Sequence, residues 1–270
     1  MRLNIRHRTL FRYEDAPIFS AQVFRLTPRT NVSQHVLRWR IDCAGTLSPW
    51  TDAFGNVCHT LAIDDPPELL EIVAHGEVIT TDANGVLPGE PGDLPLEVFL
   101  RQTDQTRPGP EMADFARSMA DRLSGDRIAG LHELMGEIRA RVVYEVGGTD
   151  VDSTANEAFS SGKGVCQDHA HIFIGCLRAL GIPARYISGY LYDGEQEQAF
   201  TAGHAWAAAW TDGLGWISFD VSNCKSATER HISTAVGLDY DSACPIRGVL
   251  TGGTGGELVD VSVQVASSGQ

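Results

Sequence analysis

Residues 166–180, Cys-Gln-Asp-His-Ala-His-Ile-Phe-Ile-Gly-Cys-Leu-Arg-Ala-Leu, constrain this chain more than any other stretch. Positions 166, 170, 173, 177 and 180 form one stripe at helical spacing, and 172, 176 and 179 widen it until little polar face remains. A helix that is apolar nearly all round has to be wrapped by other elements. Both ends are marked: Gly162-Lys-Gly164 turns the chain in and Gly181-Ile-Pro183 stops it. The chain must therefore build layers around a central helix whose first residue is a cysteine.

The material available for those layers is mixed. Residues 1–81 read as β, with clean alternation at the start and a further β-rich run at 70–81, separated by Pro, Gly and Asn clusters. They predict a small antiparallel sandwich or sheet over 1–85. Pro88, Pro91, Pro95, Pro108 and Pro110 mark residues 86–110 as a linker. A core over 111–270 follows, in which Phe115, Met119 and Leu123 share one helical face and Ile128, Leu131, Leu134, Ile138 and Val142 another. Thr154 with Glu157 fits a capping box for a short helix ending near Gly162. Strands are expected at 184–192, 202–211, 215–221 and 258–265. The fold class is α+β. The glycine cluster at 252–256 lacks the following helix and Lys-Ser/Thr of a phosphate-binding loop and reads as a connector.

Charge narrows the function classes. The 270 residues carry 21 basic and 35 acidic side chains, a net charge of −14. Such a surface repels phosphate backbones and anionic lipid, so neither nucleic acid nor a membrane is an expected partner. No run of about 20 apolar residues is present, and the opening Met1-Arg-Leu-Asn-Ile-Arg-His-Arg has no signal-peptide core, so a cytoplasmic location is expected. The six cysteines, at 43, 58, 166, 176, 224 and 244, form no C-x-x-C pair and no disulfide framework.

Only Cys166 has neighbours that argue for chemistry. In Gly164-Val-Cys166-Gln-Asp168, a thiol opens a buried helix, where unpaired N–H groups and the macrodipole favour a thiolate and can bind an oxyanion. A second piece is Gly203-His204-Ala-Trp206. His204 lies inside a strand whose residues Ala205, Ala207 and Ala209 are small enough to let a helix pack close, with His204, Trp206 and Trp210 on the other face. The third piece is Gly215-Trp-Ile-Ser-Phe-Asp220, where a strand acid needs a partner and an imidazole N–H is a natural one. Register tests the pairing. A two-residue hairpin loop would put His204 and Asp220 on opposite faces, whereas an odd loop around Asp212-Gly-Leu-Gly215 puts them on one face; an odd loop is predicted.

With these three motifs in order, residues 164–223 resemble the transglutaminase-like core: a G-x-C-x-D helix start, a G-H-A-W strand and a G-W-x-x-F-D-x-x-N strand. The Tyr13 region, Arg25-Leu-Thr-Pro-Arg29, residues 231–240 and Arg247-Gly extend the resemblance to bacterial transglutaminase-like proteins over nearly the whole chain. The resemblance implies a papain-like fold and a catalytic triad of Cys166, His204 and Asp220, with no cofactor. Val221-Ser222 departs from the usual Pro-Thr, and His169 stands where an aromatic is commoner. His169 lies close enough along the helix to approach the thiol, but a strand histidine oriented by Asp220 is the better base. His169 and His171 diverge on a helix, so no metal is expected. Trp206, Tyr144, Gly164 and Gln167 are candidates for oxyanion or substrate contacts. The expected function is hydrolysis of a peptide or isopeptide amide through a thioester, with a peptide or protein substrate. The alternatives are amine transfer or deamidation at glutamine, and a catalytically idle binding module. That Lys163 and Lys225 are the only two lysines does not separate them.

Overall fold

The computed structural model describes residues 1–87, 94–194, 203–253 and 257–267. The N-terminal alternation becomes β1 (Arg2–Tyr13), in which Leu3, Ile5, His7 and Thr9 turn inward while Arg2, Asn4 and Arg6 face water. Five more strands follow: β2 (Phe19–Thr27), β3 (Gln34–Cys43), β4 (Leu47–Thr51), β5 (Val57–Asp64) and β6 (Leu69–Thr80). They divide between two antiparallel sheets, and Phe11, Tyr13, Phe24, Leu61, Leu70 and Ile72 fill the space between them. The expected antiparallel β region is present.

A second body then forms around the apolar helix. Its elements are β7 (Val86–Leu87), α1 (Pro110–Ser118), α2 (Ala120–Gly125), α3 (Arg127–Arg141), β8 (Val143–Tyr144), α4 (Ala155–Ser161), β9 (Lys163–Gly164) and α5 (Cys166–Ala179). After these come β10 (Ala184–Leu191), β11 (His204–Thr211), β12 (Gly215–Asp220), β13 (Lys225–Ser226), β14 (His231–Gly237) and α6 (Tyr240–Ala243). Strands β13-β12-β11-β10-β14 make one antiparallel sheet, with β7 added against β12. Every residue of α5 from Gln167 to Arg178 is buried. Ala205, Ala207 and Ala209 of β11 join Phe173, Leu177 and Phe219 in the core that α5 shares with the sheet. Each large side chain fully buried there contributes about 1.5–3 kcal/mol relative to exposure. The capping box is formed: Glu157 N–H donates to the Thr154 hydroxyl and Thr154 N–H to the Glu157 carboxylate.

Two expectations about organisation differ from what is found. The stretch 86–110 is no free spacer where it is described; residues 88–93 lie outside the described residues. Val86 and Leu87 pair with β12, and Phe99 is buried edge-on against Trp216 at 5.0 Å. The buried Arg178 guanidinium donates to the carbonyls of Phe99, Ala184 and Leu238 and to the Thr106 hydroxyl, stapling this stretch to the core. A unit running from 111 to 270 is also not what the pairing forms. β15 (Ile246–Thr251) pairs with β2, and β16 (Glu257–Ser267) pairs with β1 over its whole length, so the C-terminus completes both N-terminal sheets. Residues 254–256 of the glycine cluster lie outside the described residues. No helix among the described residues is long and apolar enough to cross a membrane.

Candidate active site

Cys166 sits at the first turn of α5 because of what precedes it. Gly162 ends α4 in the left-handed region at φ 71°. Lys163 and Gly164 then run parallel to Val143 and Tyr144, which aims the chain into the helix. Asp168 closes the entry: its Oδ2 accepts from Val165 N–H at 2.8 Å and from the Thr149 hydroxyl at 2.6 Å. Burial pushes this carboxyl up, and the two bonds offset only part of that. A side chain at position 164 would put its Cβ 2.7 Å from the Asp168 Cβ, so the cap and a glycine at 164 require each other. Gln167 donates to the Val151 carbonyl at 2.9 Å and ties down the neighbouring loop.

The hairpin brings the other two residues. Thr211 pairs with Gly215, leaving residues 212–214 as a three-residue loop, and Ala207 pairs with Phe219. Gly213 and Gly215 take φ of 82° and 88°, which such a loop needs. The loop is odd as predicted, and His204 and Asp220 share a face. His204 Nε2 bonds Asp220 Oδ2 at 2.9 Å, leaving Nδ1 as the ring nitrogen free to meet Cys166. Burial disfavours the imidazolium, but hydrogen bonds to Asp220 and Cys166, with their charges, outweigh it and raise His204 to about 10. For Asp220, burial alone would raise the carboxyl; hydrogen bonds and charge from His204 and His231 hold it well below the usual carboxylate range.

His231 is the residue that sequence reasoning missed. Its Nδ1 accepts from Thr228 N–H at 3.1 Å, so Nε2 carries the proton and donates to Asp220 Oδ2 at 3.0 Å. Burial outweighs the carboxylate and lowers its pKa, so the ring is neutral. Asn223 and Ser222 complete the shell: the Asn223 amide donates to Oδ2 at 2.8 Å, and the Ser222 hydroxyl to Oδ1 at 3.0 Å. Ser222 thus keeps a hydroxyl donor at the position where Thr is usual. His204, Asp220 and His231 are also the one group of three potential metal ligands found within 4.8 Å among the described residues. A metal would have to displace donors from Oδ2 and reverse the His231 tautomer against Thr228 N–H.

The remaining expected residues fall into place differently. Trp206 is buried under the site, stacked on His204 at 5.9 Å and edge-on to His231 at 5.3 Å. It packs the histidines and does not reach the hollows beside the thiol. Tyr144 borders one of those hollows with Cys166 and His204; burial, then the charges of Cys166 and Asp220, raise its phenol. His169 does not approach the thiol: its ring nitrogens face the Val165 and Val142 carbonyls at 2.8 and 2.9 Å. His171 Nε2 accepts from Tyr240 N–H, so the two histidines turn to separate partners. Among the other cysteines, burial pushes Cys176 up to about 12 and Cys58 up to about 11, whereas Cys166 opens onto solvent-connected space.

That space has two parts. One hollow of about 470 Å³ and another of about 680 Å³ lie beside the cysteine, and Val165, Cys166, Gly203 and His204 line both.

Family models match most of this architecture. One, for the transglutaminase-like superfamily, matches residues 113–221; another, for the bacterial transglutaminase-like N-terminal region, matches residues 3–79. The chain belongs to the transglutaminase-like superfamily. Uncharacterized proteins of Mycobacterium tuberculosis and Mycobacterium leprae are each 30% identical to it over 98% of its length, covering 92% and 98% of their own. The crystal structure of a candidate cysteine protease from Cytophaga hutchinsonii superposes with a TM-score of 0.77 at 20% identity, covering 100% of this chain and 91% of that one. The fold is therefore a transglutaminase-like core with an N-terminal β region, the architecture of a cysteine-based enzyme. Asp168, Ser222 and Asn223 stand inside the motifs of that core as the capping and carboxylate-holding residues.

Proposed function

We propose that this transglutaminase-like protein is a cysteine-dependent acyl-transfer enzyme that hydrolyses peptide or isopeptide amides. The observation that carries the proposal is the continuous connection from thiol to buried acid: Cys166, His204 and Asp220, with His204 raised by both neighbours. In this reading the Cys166 proton passes to His204 Nδ1, and the thiolate attacks the amide carbonyl. The N–H groups opening α5, Cys166 and Gln167 among them, have no earlier helical acceptor and face the developing oxyanion. The tetrahedral intermediate collapses as His204 returns the proton to the leaving amine, giving a thioester.

Deacylation follows from the same electrostatics. Once Cys166 is acylated, its hydrogen bond and negative charge no longer hold the imidazolium, and burial pulls His204 down toward a working base. His204 then takes a proton from water, and collapse releases acid and free thiol. Water reaches the thioester in this reading through the hollow bordered by the exposed Tyr144 and Val146.

Two measurements test this. Alkylation of each cysteine, resolved by peptide mapping across pH 5–9, should single out Cys166, and His204→Ala should remove its advantage. Incubating a glutamine-containing peptide library with a labelled amine then separates cleavage or deamidation from amine addition. Equal reactivity of Cys166 and exposed Cys224, with no turnover of any peptide, would favour an idle binding module instead.

A further inference from the structure

The smaller hollow beside Cys166 is not built by the transglutaminase-like core alone. One wall is the sheet formed by the two ends of the chain. His7, Thr9 and Phe11 of β1 pair with Val263, Val261 and Val259 of β16, and these side chains lie on one face. Five of the six line this hollow, and Val263 lines the other. Val165, Tyr186, Tyr240 and Ile246 also line it. Sequence positions more than 150 residues apart therefore meet within reach of one thiol.

This wall is held in place. His7 is buried between the Tyr190 hydroxyl at 3.0 Å and the Thr9 hydroxyl at 3.1 Å, which joins β1 to β10 beneath the hollow. Leu3, Ile5 and Val78 pack with Tyr190 and Ile232 on the same seam. Burial lowers His7 to about 4, so it brings no charge at neutral pH. Among the described lining residues outside the catalytic pair, the one ionised side chain is Asp150, exposed at the mouth. No lysine or arginine lines it among the described residues. The larger hollow differs, with Arg139, Asp193 and Asn223 on its lining.

We infer that the smaller hollow is a specificity pocket for a large uncharged apolar or aromatic side chain next to the reacting amide, with its outer wall supplied by β1 and β16. A volume of about 470 Å³ accommodates such a group. A charged side chain would give up its hydration there; an acidic one would also meet Asp150, and a basic one would find only that exposed, solvent-screened carboxylate as counter-charge. The N-terminal β region, on this account, selects substrate for the catalytic core. The assignment rests on Cys166 being the reacting thiol for its statement about substrates, but the pocket can be read without turnover.

Disulfide trapping provides that reading. The full chain is equilibrated with phenethyl, carboxyethyl and aminoethyl disulfides over a graded concentration of 2-mercaptoethanol, and peptide mapping gives occupancy at Cys166. Exposed Cys224 is the internal reference for each fragment's intrinsic exchange. The phenethyl group should persist at Cys166 to roughly tenfold more reductant than either charged group, after scaling to Cys224. Val261→Arg and Val259→Arg, half-buried and exposed positions on an edge strand, should each abolish that preference and favour carboxyethyl. Equal retention of the three fragments, a preference for a charged one, or a phenethyl preference that survives both substitutions would overturn the assignment. If peptides are turned over while trapping shows no preference, only the pocket assignment fails. If the preference holds and no peptide is turned over, the pocket stands and the hydrolytic reading fails.

Discussion

Replacing Asp220 by Asn perturbs the site at its most connected group. The carboxylate has no exposed surface. It takes three bonds at Oδ2, from His204, His231 and Asn223, and two at Oδ1, from the Ser222 hydroxyl and Asn223 N–H. An amide must present its NH2 to one side. Toward Oδ2 it meets three donors, so it turns toward Oδ1, where the Ser222 hydroxyl can rotate to accept and the Asn223 N–H cannot. One orphaned buried donor costs about 1–3 kcal/mol, and three bonds falling from charge-assisted to neutral strength lose about 1 kcal/mol each. Removing a buried charge returns part of this, leaving a net loss of about 2–4 kcal/mol.

The pH dependence has a definite sign. The Asp220 carboxyl is held low in the folded protein, so its contribution is present above about pH 4, the unfolded value, and is lost as pH falls below that. His204 is raised to about 10, so its contribution is full below an unfolded value of about 6.5 and is lost as pH rises toward 10. Without the carboxylate, burial dominates at His204 and both dependences flatten. Urea unfolding followed by tryptophan fluorescence should therefore show the widest gap between wild type and Asp220→Asn near pH 5–6, narrowing on both sides. Cys166 alkylation near pH 6 should drop in parallel. A gap below about 0.5 kcal/mol at that pH, or one that stays constant from acid to alkaline, would refute the network as drawn.

Three further outcomes are expected. His231→Phe keeps an aromatic ring but removes one donor from Asp220; Cys166 reactivity should fall roughly tenfold, less than for His204→Ala, because the Asn223 donors remain. An unchanged pH–reactivity profile would show that His231 only fills space. Gly164→Ala should destabilise by about 1–3 kcal/mol in urea titrations, since its Cβ would lie 2.7 Å from that of Asp168; a neutral result would mean that the helix entry yields freely. Arg178→Met should cost about 3–5 kcal/mol by leaving the Phe99, Ala184 and Leu238 carbonyls without their donor, and limited proteolysis should then cut first near residue 99.

Much of this site is legible in local pattern. The buried helix, its glycine boundaries, the Thr154–Glu157 capping box and the placement of Cys166 all depend on residues within a few positions of one another. The hairpin register is local as well: a period of two along β11 and β12, combined with glycines suited to an odd loop, determines that His204 and Asp220 share a face. The resemblance of the three motifs then carries the family, because their order and spacing are themselves sequence.

His231 illustrates what local pattern omits. It lies 11 positions beyond Asp220 in a strand whose alternation looks like any buried strand, and it reaches the carboxylate because β14 lies across the sheet, next to β10. The same holds for β16. Its alternating valines indicate a strand but carry no mark that its partner is β1, more than 240 residues earlier. Which edge accepts a strand depends on the shape and exposed backbone groups of a sheet that must already exist. Local pattern therefore accounts for the elements, the cysteine at the start of the buried helix and the face that His204 shares with Asp220. The tertiary structure decided the second histidine on Asp220, the return of the C-terminus to the N-terminal sheets, and the apolar wall that those paired ends set beside Cys166.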